Sequence, residues 1–166
     1  EAGLIKTMWN QLNIKKRNEK FHSRYSAKAR IYQYIILNRE SVPTINKNRV
    51  WHIRKKINLE NIKRGAKFLV GKKDFSTFRA SSCSAKNPIR TLEKVKILKK
   101  KNQIFIEFRS RSFLQTQVRS MVGCLKYLGE GKWDLKKFKN VTLSKKRIFC
   151  APPAPPSGLF LKKVIY

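Results

Sequence analysis

The stretch FHSRYSAKARIYQYII, residues 21–36, decides how this chain folds. A basic, hydroxyl-rich run carrying Arg24, Lys28 and Arg30 leads into a strand. Successive side chains of a strand point to opposite faces, so Tyr32, Tyr34 and Ile36 share one face, and Ile31, Gln33 and Ile35 the other. Two tyrosines on one face, beside phosphate-binding charge, suit recognition of an unstacked RNA base. The same pattern also suits a half-buried sheet strand whose tyrosines fill a core.

Outward from this strand the chain mixes strands and helices. A polar connection with Pro43 spans Asn38 to Asn48, and Trp51–Lys55 reads as a short strand. Asn58 reads as an N-cap. Leu59, Ile62, Ala66, Leu69 and Val70 then recur at helical spacing, with Gly71 as the stop. Asp74 to Ala80 is a short aromatic-bearing segment. Leu92–Leu98 and Gln103–Arg109 have strand character, with Lys99-Lys100-Lys101-Asn102 as a hairpin tip.

A second apolar stripe runs through Leu114, Val118, Met121, Val122, Leu125 and Leu128, ended by Gly129 and Gly131. A third, shorter helix is expected over Trp133–Leu143, with Asp134 near its start. The proline-rich run 151–158 is a rigid, non-helical approach to a last strand, Leu159–Tyr166. Upstream of the tyrosine strand, Leu4–Leu12 suggests a strand and Asn13–Lys20 is polar. The whole predicts an α+β fold, a mostly antiparallel sheet with helices packed on one face. No internal repeat is present.

Composition narrows the partners. Lys+Arg number 40 against nine Asp+Glu among 166 residues, a formal net charge of +31. Such a chain repels itself unless a polyanion neutralises it, and nucleic acid phosphates are the obvious one. AT-rich coding accounts for part of the lysine, but not for so few acids. With 41% hydrophobic residues the chain can pack a core, so it is no disordered tail. No apolar run is long enough for a bilayer and no strongly amphipathic basic helix stands out, so no membrane partner is expected. Nothing resembles a helix-turn-helix or finger, which counts against a general DNA-binding protein. Cys83, Cys124 and Cys150 lack metal-ligand spacing to one another or to His22 and His52, so free thiols and no metal are expected. No signal peptide is expected, and the start at Glu1 rather than Met suggests residues upstream.

Five segments fall in one order: FHSRYSAKARIYQYII (21–36), VGKKDFSTFRASSC (70–83), NPIRTL (87–92), SFLQTQVRSMVG (112–123) and APPAPPSGLFLKKVIY (151–166). Together they resemble the C-terminal half of the bacterial-type tRNA pseudouridine synthase A family. The resemblance covers nearly everything after Lys20, so residues 21–166 are expected to form a synthase-like C-terminal domain behind a poorly matched segment, 1–20. It implies isomerisation of uridine to pseudouridine in the tRNA anticodon stem-loop, without a cofactor, by homodimers whose subunits have two similar lobes around an RNA-binding cleft. In that family an aspartate in an Arg-Thr-Asp-Ala-Gly motif of the upstream lobe attacks the nucleoside. These 166 residues hold no such motif, and Asp74 and Asp134 are their only aspartates. Asp74 matches a family aspartate that is not the nucleophile.

Residue by residue, the resemblance implies that Tyr32 stacks on the target uracil and moves a proton at C5. Arg119 matches the arginine that keeps the catalytic carboxylate ionised, and Leu159 and Leu161 match the apolar floor under the base. Gln115 lies where the family usually carries histidine, and can still hydrogen-bond base or phosphate. Arg24, Arg30 and Arg79 are the expected RNA-phosphate contacts. Each has a plainer structural reading: core tyrosine, solvated arginine, core strand, surface charge. Two functions therefore stand. One is the RNA-binding lobe of a tRNA pseudouridine synthase in a bacterial cytoplasm, inactive without its upstream lobe. The other is a synthase-derived structural subunit that binds rRNA in a ribonucleoprotein, such as a ribosome of the mitochondrial matrix.

Overall fold

The structure is a computed structural model that describes residues 16–166. The expected strand Leu4–Leu12 lies outside the described residues, as do residues 13–15 of the polar stretch. The tyrosine strand, β1 (Ala29–Asn38), is the axis of a six-stranded sheet. Along one edge it pairs antiparallel with β5 (Gln103–Ser110), setting Tyr32 opposite Phe108, Tyr34 opposite Ile106 and Ile36 opposite Ile104. Its other edge is shared. The final strand, β6 (Leu159–Ile165), pairs antiparallel with Ala29–Tyr34, and β2 (Trp51–Ile53) pairs parallel with Ile36–Asn38. Beyond β5 lie β4 (Ile89–Lys100) and then β3 (Gly71–Asp74), both antiparallel.

Alternation along these strands builds one apolar face. Tyr34 and Ile36 from β1, Ile104, Ile106 and Phe108 from β5 and Leu92 from β4 are buried there. Three helices supply the other half of the core: α1 (Leu59–Leu69), α2 (Gln117–Gly129) and α3 (Leu135–Leu143). Ile62, Ala66 and Leu69 of α1 join Met121, Val122, Leu125 and Leu128 of α2, and Phe138 of α3, in the same cluster as the sheet residues. Each large apolar side chain fully buried this way contributes roughly 1.5–3 kcal/mol. The opposite sheet face is polar at its centre. There Gln33 Nε2 donates to Glu107 Oε1 (2.8 Å) and Lys162 pairs with the same carboxylate. The Lys162 hydrogen bond is the main cause that holds the Glu107 carboxyl below its usual range.

The Asn58 cap forms as read from the sequence, and Asp134 caps the third helix because that helix begins at Leu135 rather than Trp133. Asn58 Oδ1 accepts from the Asn61 amide (3.0 Å) and Asp134 Oδ1 from the Lys137 amide (2.6 Å), each answering an orphan donor of a first helical turn. Other boundaries differ. Val70 is already extended (φ −70°, ψ 144°), so α1 ends at Leu69, and Gly71–Asp74 is a strand where a helix stop was expected. Leu114 sits on the apolar stripe but outside α2, because Thr116 takes a left-handed conformation (φ 66°) and the helix begins at Gln117. That helix also continues through Gly129. The hairpin tip is tighter than expected, because β4 continues to Lys100 and the turn is Lys101-Asn102.

Candidate nucleic-acid interface

The run Pro152-Pro153-Ala154-Pro155-Pro156 has a single amide N–H, on Ala154. That N–H donates to the Arg119 carbonyl (3.0 Å), and Arg119 Nε donates back to the Ala154 carbonyl (2.6 Å). Next along the run, the Pro155 carbonyl accepts from the Tyr34 hydroxyl (2.7 Å). Burial raises the Tyr34 pKa, against the pull of the Arg119 guanidinium, so this hydroxyl stays a donor at neutral pH. Two glycines permit the close contact. A Cβ on Gly123 of α2 would overlap the Pro152 carbonyl oxygen, and one on Gly158 would lie 2.8 Å from the Tyr34 ring and the Ile35 carbonyl oxygen. The strap 151–158 is thus clamped between α2 and β1, and it delivers Leu159 to the start of β6.

Clamping creates a cleft of about 300 Å³. Tyr32, Leu159, Arg119, Gln115 and Phe113 are among its walls. Tyr32 is half-buried and stands edge-on to Phe113, with ring centroids 5.2 Å apart and planes at 90°. Among the described residues, the two terminal nitrogens of Arg119 have no hydrogen-bond partner. The guanidinium is therefore oriented through Nε while a planar pair of donors remains for a carboxylate. Gln117, also on the wall, is 1% exposed. Its Oε1 accepts from the Leu114 amide (2.8 Å), and its buried Nε2 has no partner in the protein.

The other expected site residues are placed as follows. Arg24 and Arg30 line a larger hollow of about 610 Å³ that adjoins the cleft. Arg30 is already engaged there, its guanidinium donating to the Arg111 carbonyl (2.6 Å) and to the Arg24 carbonyl. Arg79 lines neither space, and its Nη1 donates to the Ala85 carbonyl (3.3 Å). Leu161 lies opposite Tyr32 in the ladder but is 53% exposed and lines neither. Asp74 Oδ1 accepts from the Ser76 amide (2.8 Å). Burial would raise its pKa, but the Ser76 hydrogen bonds and the charges of Lys145 and Arg79 hold it low. Asp134 caps α3. Both aspartates thus have local structural work. Among the described residues, no three His, Cys, Asp or Glu side chains group as metal ligands.

Sequence reasoning passed over Phe113, Gln117, Arg90 and Arg111. The last two share the walls of the larger hollow with Arg24 and Arg30. Phe113 was legible in principle, as an aromatic immediately before the Leu114 stripe.

Residues 66–166 match the family described as tRNA pseudouridine synthase. The chain belongs to that family. The tRNA pseudouridine synthase A of Pelagibacter ubique (strain HTCC1062) is 65% identical over 155 residues, which cover 93% of this chain and 63% of that protein. The enzymes of the same name from Bartonella tribocorum and Ehrlichia chaffeensis are 44% and 41% identical over the same shares. The chain therefore spans about 63% of the length of these curated relatives. The matched region takes in both α2 with Arg119 and the strap with Leu159, and β1 with Tyr32 precedes it.

Proposed function

We propose that residues 21–166 form the RNA-binding C-terminal lobe of a tRNA pseudouridine synthase. It acts on a uridine of the tRNA anticodon stem-loop only when an upstream lobe supplies the catalytic aspartate. The observation that carries this reading is the gathering of Tyr32, Arg119 and Leu159, distant in sequence, around one open cleft. In it Tyr32 stacks on the uracil and serves proton transfer at C5. Arg119 pairs with the incoming aspartate and keeps it ionised. Leu159 floors the base and Gln115 hydrogen-bonds base or phosphate, while Leu161, exposed outside the cleft, offers apolar surface to the RNA beside it. Asp74 and Asp134, committed to a turn and a cap, leave the nucleophile to the upstream lobe. Arg24, Arg30 and Arg79 contribute to the field that draws in the phosphates. Homodimers working without a cofactor in a bacterial cytoplasm belong to the same reading, in keeping with the bacterial relatives. No described helix is long and apolar enough to cross a membrane.

One observation favours the second reading, a structural rRNA-binding subunit: a net charge of +31 on 166 residues. Binding tests separate the two. On a log–log salt plot, tRNA affinity is expected to fall linearly, and Arg24→Gln to reduce the slope by about one. Tyr32→Ala should weaken binding about tenfold with the slope unchanged, since stacking releases no counterions. Equal affinity for anionic vesicles, together with a silent Tyr32→Ala, would remove base recognition from the account.

A further inference from the structure

The cleft and the larger hollow share a wall made of Tyr32, Phe113, Leu114 and Gln115. Arg119 and Leu159 at the start of β6 lie on the cleft side of that ridge, whereas Tyr25, Arg90 and Arg111 lie on the other. We propose that the hollow is a second nucleotide subsite. It takes the RNA nucleotide adjoining the target uridine, with its base against Tyr25 and its phosphate between Arg90 and Arg111. This rests on the cleft's being the target-base site.

Charge argues for an anion. Four arginines and no aspartate or glutamate line the hollow. Arg90 Nη1 donates to the Asn87 and Ile89 carbonyls (2.8 and 2.7 Å), which fixes the guanidinium, while its Nε is buried with no partner in the protein. A guanidinium held in place at the wall of the hollow favours an anionic acceptor there. Arg111 is anchored through its carbonyl by Arg30 and leaves its own side chain exposed.

Tyr25 argues for a base rather than a free anion. It is 70% exposed, on a turn that is already built. The His22 Nδ1 accepts from the Arg24 amide (3.1 Å), the His22 amide donates to Ser26 Oγ (3.0 Å), and the His22 ring supports the Tyr25 ring at 4.4 Å. An aromatic platform among arginines is how proteins hold single-stranded RNA, by stacking plus backbone charge. The volume falls in the usual range for ligand sites. Because the ridge separates the two spaces, neighbouring bases cannot stay stacked across it. The Tyr32–Phe113 edge then acts as a wedge that splays the target from its neighbour.

The test titrates single-stranded pentauridylate against the full chain over a range of salt concentrations, with Tyr25→Ala, Arg111→Gln, Tyr32→Ala and the double Tyr25→Ala/Tyr32→Ala. Tyr25 and Arg111 are exposed, so their variants should fold. Tyr25→Ala should weaken binding about tenfold without changing the salt slope. Arg111→Gln should lower the slope by about 0.7, the single-strand value per phosphate. The double variant should lose the product of the single effects, since two bases are held at once. Tyr25→Ala effective with Tyr32→Ala silent would keep the subsite and discard the target-base reading of the cleft. Tyr32→Ala effective with Tyr25→Ala and Arg111→Gln both within twofold of the parent would overturn the subsite. A double variant no weaker than the worse single would overturn it too, since one base would then meet both rings.

Discussion

Arg119 and Ala154, 35 residues apart, hold each other twice, backbone amide to carbonyl and side-chain Nε to carbonyl. The reciprocal pair ties helix α2 to the only amide donor in a five-residue run of prolines and alanine. It fixes both the position of the strap and the direction of the guanidinium. Tyr34 clamps the same strap one residue later, through Pro155. The cleft is thus built from tethers that reach back to the core, and its geometry depends on them.

Replacing Arg119 by lysine separates the tether from the fork. Lysine keeps the charge but has no Nε and no planar pair of donors. Stability should fall by about 1 kcal/mol, one lost hydrogen bond. Turnover by the chain joined to the N-terminal part of the Pelagibacter ubique relative should fall roughly 10²-fold or more, as when one preorganised donor is removed from an active site. Urea midpoints and single-turnover rates check the two parts. Unchanged turnover would remove Arg119 from the chemistry.

Gly123→Ala should disturb the cleft from behind. The added methyl overlaps the Pro152 carbonyl, which belongs to a clamped strap rather than to a flexible side chain. A loss of about 1–3 kcal/mol is expected in urea, as for overpacking elsewhere. Tyr32-dependent RNA binding should weaken as well, because the strap carries Ala154 and Leu159. A variant with parent-like stability and binding would show that the strap is free to shift.

Tyr34→Phe should leave the Pro155 carbonyl without its donor, at a cost of about 1–2 kcal/mol at neutral pH. The pH dependence has a definite sign. Burial raises the Tyr34 pKa above its ordinary value of 10.0, so the native state holds the phenol proton more tightly than the unfolded chain. That contribution is fully present below about pH 10 and is lost as pH rises toward the native pKa. Urea midpoints taken from pH 8 to about pH 12 should fall more steeply for the parent than for Tyr34→Phe, and the two curves should converge. Parallel curves would mean that Tyr34 is not titrating from a buried site.

Period-2 alternation made β1 legible, because Tyr34 and Ile36 face a core and Gln33 does not. Asn58 was legible as a cap because that position needs a short side-chain acceptor, and Asp134 was legible only as marking the start of the third helix. β3 was not, since Gly-Lys-Lys-Asp has no apolar face and is a strand only through pairing with β4 at the sheet edge. The start of α2 was hidden by Leu114, which continues the apolar stripe across a left-handed Thr116. Tyr32, Arg119 and Leu159 were found by resemblance to a family. Their meeting depends on the strap, on Gly123 and on Gly158, whose contacts cross the fold and leave no local pattern. Arg90 and Arg111 were missed for the same reason, since in a chain this basic no single arginine stands out.

On the reading proposed above, these residues hold the base-recognising half of a synthase site and lack its nucleophile. The most direct measurement is pseudouridine formation on tRNA by residues 1–166 alone, and again after joining them to the N-terminal part of the Pelagibacter ubique relative. The expected result is no product from residues 1–166 and product from the joined chain, with the joined activity lost on replacing the aspartate of the donated lobe. Turnover by residues 1–166 alone would contradict the account. Asp74→Asn would then be the first variant to make.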